Sequence, residues 1–276
     1  MTINGTLLSY PLGIDGTVTR VLDTFDPGRP VLFIHGLGAR ADRWRRNLPA
    51  VAAAGFRGLA LDLPGHGFAS KDAGFPHSVA GYSSFVAAMI HELDLDRPVL
   101  VGTSFGGHIA ATIACRGLAD VRGLVLVGST GLFPVGSAAC ARIASRAQDR
   151  SLGGTRSKAQ TVFFDASNVT DAFVHEEYRI NNSPGTDDVF SALGRYFVEG
   201  LDRDAVGVEL AAMASRPPMT LVWGAEDRSV PISIGREAAR MLAPTLLHEI
   251  SGAAHAPYYE KAEQFNQLLL TFLETT

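Results

Sequence analysis

Ser104, Asp227 and His255 are the residues whose types and settings could do chemistry. Ser104 stands in Gly102-Thr103-Ser104-Phe105-Gly106, behind the apolar run Val99-Leu100-Val101 and ahead of a stretch with helical apolar spacing. This G-x-S-x-G pattern, set between a strand and a helix, is a nucleophile elbow. A strained turn lifts the hydroxyl clear of the backbone, and a Cβ at either glycine would crowd that turn. A serine hydroxyl alone is a poor nucleophile, so it needs a base, and the base needs an acid to orient it. Asp227, in Gly224-Ala225-Glu226-Asp227, and His255, after Ser251-Gly252-Ala253-Ala254, each follow a later apolar run, in the order Ser, acid, His. The predicted chemistry is attack on a carbonyl carbon with transfer of the acyl group to serine. Two backbone N–H groups should receive the oxyanion, those of Phe105 and of Leu37 in His35-Gly36-Leu37-Gly38. Glu226 is the nearest rival acid, with Asp202 and Asp204 more remote, whereas Asp62 precedes the nucleophile.

The rest of the chain supplies the elements that hold these groups. Residues 3–25 alternate weakly around Gly13, Asp15 and Gly16, which predicts a β-hairpin at a sheet edge. Apolar runs at 30–34, 58–62, 99–103, 123–128, 219–224 and 245–250 have the length and continuity of strands buried on both faces. Helical spacing is predicted over 44–54, 78–93, the stretch after Ser104, 233–241 and 260–273. Alternating strands and amphipathic helices predict an α/β architecture, a mostly parallel sheet flanked by helices. Between 132 and 216 the rhythm breaks and only helical patterns separated by loops appear. This predicts an inserted helical lid on a core made of 1–131 and 217–276.

That insert is rich in aromatic residues, namely Phe133, Phe163, Phe164, Phe173, Tyr178, Phe190, Tyr196 and Phe197, which could line a chamber over Ser104. Phe133, Phe163, Phe164, Tyr178, Arg179 and Phe197, together with Trp44 beyond the oxyanion loop, are the candidates to contact substrate. The competing reading is that the aromatic side chains build the insert's own core. Arg142, Arg146 and Arg150 recur every four residues, which fits a solvated helix face better than an anion site. Asn181 and Asn182 are further polar anchors to consider. His35 and His66 read as loop braces and His108 as a packed helix residue. The remaining histidines show no ligand spacing, so neither metal nor cofactor is expected.

With 276 residues, 46% of them hydrophobic and 19% charged, the chain has room for one large core and an insertion. A net charge of −4 offers no electrostatic case for nucleic acid or an anionic membrane. Cys115 and Cys140 lie far apart, as free thiols in a reducing compartment would. The first fifteen residues lack the basic and apolar regions of a secretory leader, and no apolar run approaches a membrane span. A cytoplasmic location is expected, with a small-molecule substrate as the partner and a homodimer left open.

Taken together, His35-Gly36-Leu37-Gly38, Asp62-Leu63-Pro64-Gly65-His66-Gly67, the Gly102 to Gly107 stretch, Gly224 to Pro231 and His255-Ala256-Pro257 resemble the Ser-dependent α/β-hydrolase superfamily. The likeness is to its lid-bearing esterases, C–C bond hydrolases and haloperoxidase-like enzymes. It covers nearly the whole chain outside the insert. One departure is Ala254, where glycine is usual. A serine nucleophile disfavours the similar dehalogenases and epoxide hydrolases, which carry aspartate there. The resemblance implies a serine hydrolase, with a carboxylic ester of a small to medium apolar substrate (or a thioester or lactone) as the first expectation. The alternatives are a C–C bond hydrolase of a diketone or vinylogous ketone acid and, from another class, a ligand receptor on a hydrolase scaffold. One scaffold hosts many reactions, so the substrate does not follow from the motifs.

Overall fold

The computed structural model describes residues 6–276. Eight strands form one sheet: β1 (Leu8–Ile14), β2 (Thr17–Asp23), β3 (Pro30–Ile34), β4 (Arg57–Leu61), β5 (Val99–Thr103), β6 (Gly123–Val127), β7 (Met219–Gly224) and β8 (Leu246–Ile250). Their spatial order is β1-β2-β4-β3-β5-β6-β7-β8. The first two form the expected edge hairpin. Asp15 and Gly16 at its tip both take positive φ, as a tight two-residue turn requires. Residues 3–5 of that expectation lie outside the described residues. β2 pairs antiparallel with β4, and every pairing from β4 to β8 is parallel.

The central strands divide their side chains by type. In β6, Leu124 and Leu126 join a cluster with helices α2 (Val79–Glu92) and α3 (Phe105–Arg116). Val125 and Val127 point the other way, into a cluster with α1 (Leu48–Ala53) and the C-terminal helix. Burial on both faces explains why these strands read as unbroken apolar runs. Two predicted helices are each broken once. Over 44–54, a 3₁₀ turn at Ala41–Trp44 is followed by α1, which begins where Pro49 suits a first helical turn. The expected last helix, over 260–273, is a short turn at 257–260 followed, after non-helical Lys261, by a helix over 262–274.

After β6 the chain leaves the sheet and builds α4 (Ser137–Gln148), α5 (Leu152–Val162), α6 (Asp171–Asn181), α7 (Thr186–Glu199) and α8 (Gly207–Ala212) before β7 begins. α7 buries Val189, Phe190, Leu193 and Phe197 on one stripe, and Phe197 packs on Phe105 with ring centroids 5.3 Å apart. α6 is tied down differently, by charge. Buried Glu177 meets Arg40 and also Arg43, the latter at 3.1 Å, while Glu176 meets Arg40 at 2.7 Å. No helix is long and apolar enough to cross a membrane among the described residues.

Candidate active site

Strand order places the site. β4 lies on one side of β3 and β5 on the other, so the loops leaving β3 and β5 diverge at a topological switch point. The β3 loop is His35-Gly36-Leu37-Gly38, and the β5 turn carries Ser104.

Ser104 has φ 54 and ψ −120, a conformation in which a non-glycine residue is strained. The turn is overdetermined. The Ser104 N–H donates to Val127 O at 2.9 Å, and its carbonyl accepts from Gly107 and His108 at the start of α3. A Cβ on Gly102 would lie 2.3 Å from Gly106 O, and one on Gly106 2.3 Å from Ile34 O. Strand and helix therefore approach as closely as the sequence pattern required.

His255 Nδ1 lies 2.7 Å from Asp227 Oδ2. The other carboxylate oxygen accepts the N–H groups of Ser229 and Val230 at 2.7 and 2.9 Å, so Asp227 cannot rotate away. Its side chain is fully buried, while the His255 side chain keeps 11% exposure. Gly128, at positive φ after β6, makes room for the pair: a Cβ there would stand 3.1 Å from Asp227 Oδ2. The rival acids are occupied elsewhere. Glu226 accepts the Ala253 N–H at 3.1 Å and so braces the histidine loop, and Asp202 receives Val135 and Gly136 amides. Ala254 is buried, and its N–H donates to Glu260 at 2.8 Å. The methyl group in place of a hydrogen is thus accommodated.

The loop after β3, expected to carry one oxyanion donor, is held by His35. Its Nε2 accepts the Leu63 N–H at 2.9 Å, which puts the ring proton on Nδ1, and Nδ1–H donates to Gly36 O at 2.7 Å. Burial drives this imidazole down to about 3, so it is neutral. Among the described residues, the N–H groups of Leu37 and Phe105 have no internal acceptor. Both residues line the same cavity as Ser104.

Two cavities meet here and share Ser104 and His255. The larger, about 220 Å³, is walled mainly by apolar groups: Ile143, Ala147, Phe190, Phe197 and Val230. The smaller, about 110 Å³, is more polar, with Arg43, Thr155, Glu177, Asn181 and Tyr258. Lys158 of α5 borders both.

Most of the expected substrate contacts are corrected. Phe197 does line the larger cavity. Trp44 does not, because it is fully buried and stacks on Tyr258 at 4.1 Å. Phe163 is consumed by packing on Phe173 and Tyr259, and Phe133 packs against the core cluster. Phe164 is 45% exposed. Tyr178 and Arg179 miss the site because α6 turns Glu177 and Asn181 toward it instead. Of the arginine stripe, Arg146 reaches the rim of the larger cavity, while Arg150 is engaged by Asn181 O, Thr186 and Asp187. Lys158 and Arg43 had no sequence signal, since single cations on helices and turns are common surface residues. Among the described residues no cluster of three or more His, Cys, Asp or Glu is spaced to hold a metal ion.

Comparison with known proteins agrees with this fold. The chain is 32% identical over 259 residues to the dihydrolipoyllysine-residue acetyltransferase component of the acetoin cleaving system of Cupriavidus necator. That alignment covers 93% of this chain and 66% of that protein, so the chain spans just under two thirds of that relative's length. It is 28% identical over 274 residues to a 2-hydroxy-6-oxononadienedioate/2-hydroxy-6-oxononatrienedioate hydrolase of Burkholderia vietnamiensis, covering 94% of this chain and 92% of that one. In fold it is similar to a meta-cleavage product hydrolase from Pseudomonas fluorescens, with a TM-score of 0.83, 24% identity, and coverage of 96% of this chain and 97% of the other. Residues 31–268 match the alpha/beta hydrolase family, and the chain belongs to that family.

Proposed function

We propose that the protein is a serine hydrolase that cleaves a carboxylic ester through an acyl-enzyme on Ser104. One observation carries the reading. An imidazole held 2.7 Å from a buried carboxylate shares a cavity wall with a strained serine and with two backbone N–H groups that lack acceptors. Asp227 keeps the proton on His255 Nδ1, which leaves Nε2 to accept the serine proton as Ser104 attacks the carbonyl carbon. The N–H groups of Leu37 and Phe105 receive the oxyanion, and loss of one such donor typically costs a factor of about 10² to 10³. His255 then protonates the leaving alcohol and activates water against the acyl-serine. The segment 132–216 acts as a lid that supplies most of the apolar wall. Free Cys115 and Cys140 support a cytoplasmic location.

The test is nitrophenol release from short acyl esters. Wild type turns over, and Ser104→Ala falls to background. Turnover surviving in that variant would refute the assignment. A second reading is C–C bond hydrolysis, supported by the name of the Burkholderia vietnamiensis relative. It is preferred if a dienoic diketone acid is turned over far faster than any ester.

A further inference from the structure

Among the described lysines and arginines, Lys158 alone borders both cavities, and it does so beside Ser104 and His255. The two carboxylates whose charge acts on it, Asp149 and Glu177, form no ion pair with it. Glu177 is bound by Arg40 and Arg43, and Asp149 accepts both the hydroxyl and the amide of Ser151. Burial pushes the Lys158 ammonium below its usual range. Asp149 and Glu177 oppose that push and Arg150 adds to it. Among the described residues no carboxylate touches this partly buried cation, which favours an anionic ligand beside it.

A second group in the smaller cavity has the same need. Arg43 gives one nitrogen to Glu177 at 3.1 Å and lays its guanidinium over Phe173 at 4.5 Å, but its Nη1 is buried with no partner. The smaller cavity is thus lined by two cations, Lys158 and Arg43, and one carboxylate that is already paired. The larger cavity also has cations on its wall, Arg146 and Lys158, but Asp149 stands among them and most of the remaining lining is apolar.

We propose that the substrate is a two-sided ester: a short arm ending in a carboxylate lies in the smaller cavity, bound by Lys158 and the Arg43 guanidinium, and an apolar group fills the larger one. This rests on the serine-hydrolase reading for the ester bond, while the anion site stands on its own geometry. A carboxylate presents acceptors to both cations at once, and charge-assisted hydrogen bonds of this kind are the strong ones.

The experiment measures binding rather than turnover, on Ser104→Ala protein, by calorimetry. One probe, phenyl hemiglutarate, carries the carboxylate on the acyl side. Another, 3-(butanoyloxy)benzoate, carries it on the alcohol side. Phenyl pentanoate and phenyl butanoate are their neutral counterparts. At least one anionic probe should bind more tightly than its counterpart. Lys158→Gln should cut that ratio roughly ten- to hundredfold, and Lys158→Arg should retain most of it. The ratio should also fade with rising pH, below the ordinary lysine value of 10.5, as the ammonium loses its proton. Equal binding of charged and neutral probes, or a ratio untouched by Lys158→Gln, overturns the proposal. Failure of the serine reading shows separately, as ester turnover that persists in Ser104→Ala.

Discussion

Acid should strike the loop after β3 first. His35 is fully buried, with Nε2 already accepting the Leu63 N–H and Nδ1–H already given to Gly36 O. A second ring proton would set N–H against N–H. Burial is the main force that drives this imidazole from 6.5 down to about 3; the Gly36 carbonyl pulls upward, and Arg20, Arg43 and Arg40 push further down. Between those two values the unfolded chain holds a proton that the folded chain refuses. Stability therefore falls as pH drops through 6.5 toward about 3 and is fully retained above 6.5. The slope is about 1.4 kcal/mol per pH unit, and the whole window amounts to about 5 kcal/mol. That is comparable with the entire stability of many domains, about 5 to 15 kcal/mol. His66, 5.3 Å away between ring centroids, is lowered too, by burial first and by the charge of His35 next, so the two rings cannot both become cationic in place. The assay is a series of urea melts in steps below pH 6.5 on wild type and His35→Gln. The glutamine carbonyl can accept the Leu63 N–H but does not titrate. Subtracting one curve from the other removes the carboxylates common to both, such as Asp42. The variant should lose stability less steeply, by about 1 kcal/mol per pH unit. Parallel curves would refute the reasoning.

Asp227→Asn should keep the fold, because its remaining carbonyl oxygen can still accept Ser229 and Val230, but its amide would donate toward His255 Nδ1. The ring proton then moves to Nε2, and kcat for ester hydrolysis should fall by about 10⁴ with little change in Tm. Glu177→Gln leaves Arg43 without its carboxylate partner and Arg40 with only Glu176 and Asp42, which should destabilise the protein by about 3 kcal/mol. Amide exchange should accelerate first in α6, and equal protection of α6 in the variant and the wild type would show that the buried ion pairs do not hold it.

Much of this site was legible in the residues alone. Gly102 and Gly106 announce a turn that only their missing Cβ atoms permit, and the chain order of Ser104, Asp227 and His255 follows from where loops leave successive strands. The two-sided burial of β3, β5 and β6 made those strands readable as continuous apolar runs. Breaks within helices, at Arg45 to Asn47 and at Lys261, were not readable, because periodicity persists across a short interruption. What tertiary structure alone decided is which side chains of the insert face the serine. An amphipathic helix shows that it has an inner face, but not what lies opposite. Phe163 and Trp44 found aromatic partners and left the cavity wall, while Phe190 of α7, Arg43 beside the oxyanion loop and Lys158 of α5 entered it. Local pattern determines the period and the turn, whereas the direction of a side chain depends on how helices distant in sequence dock against one another.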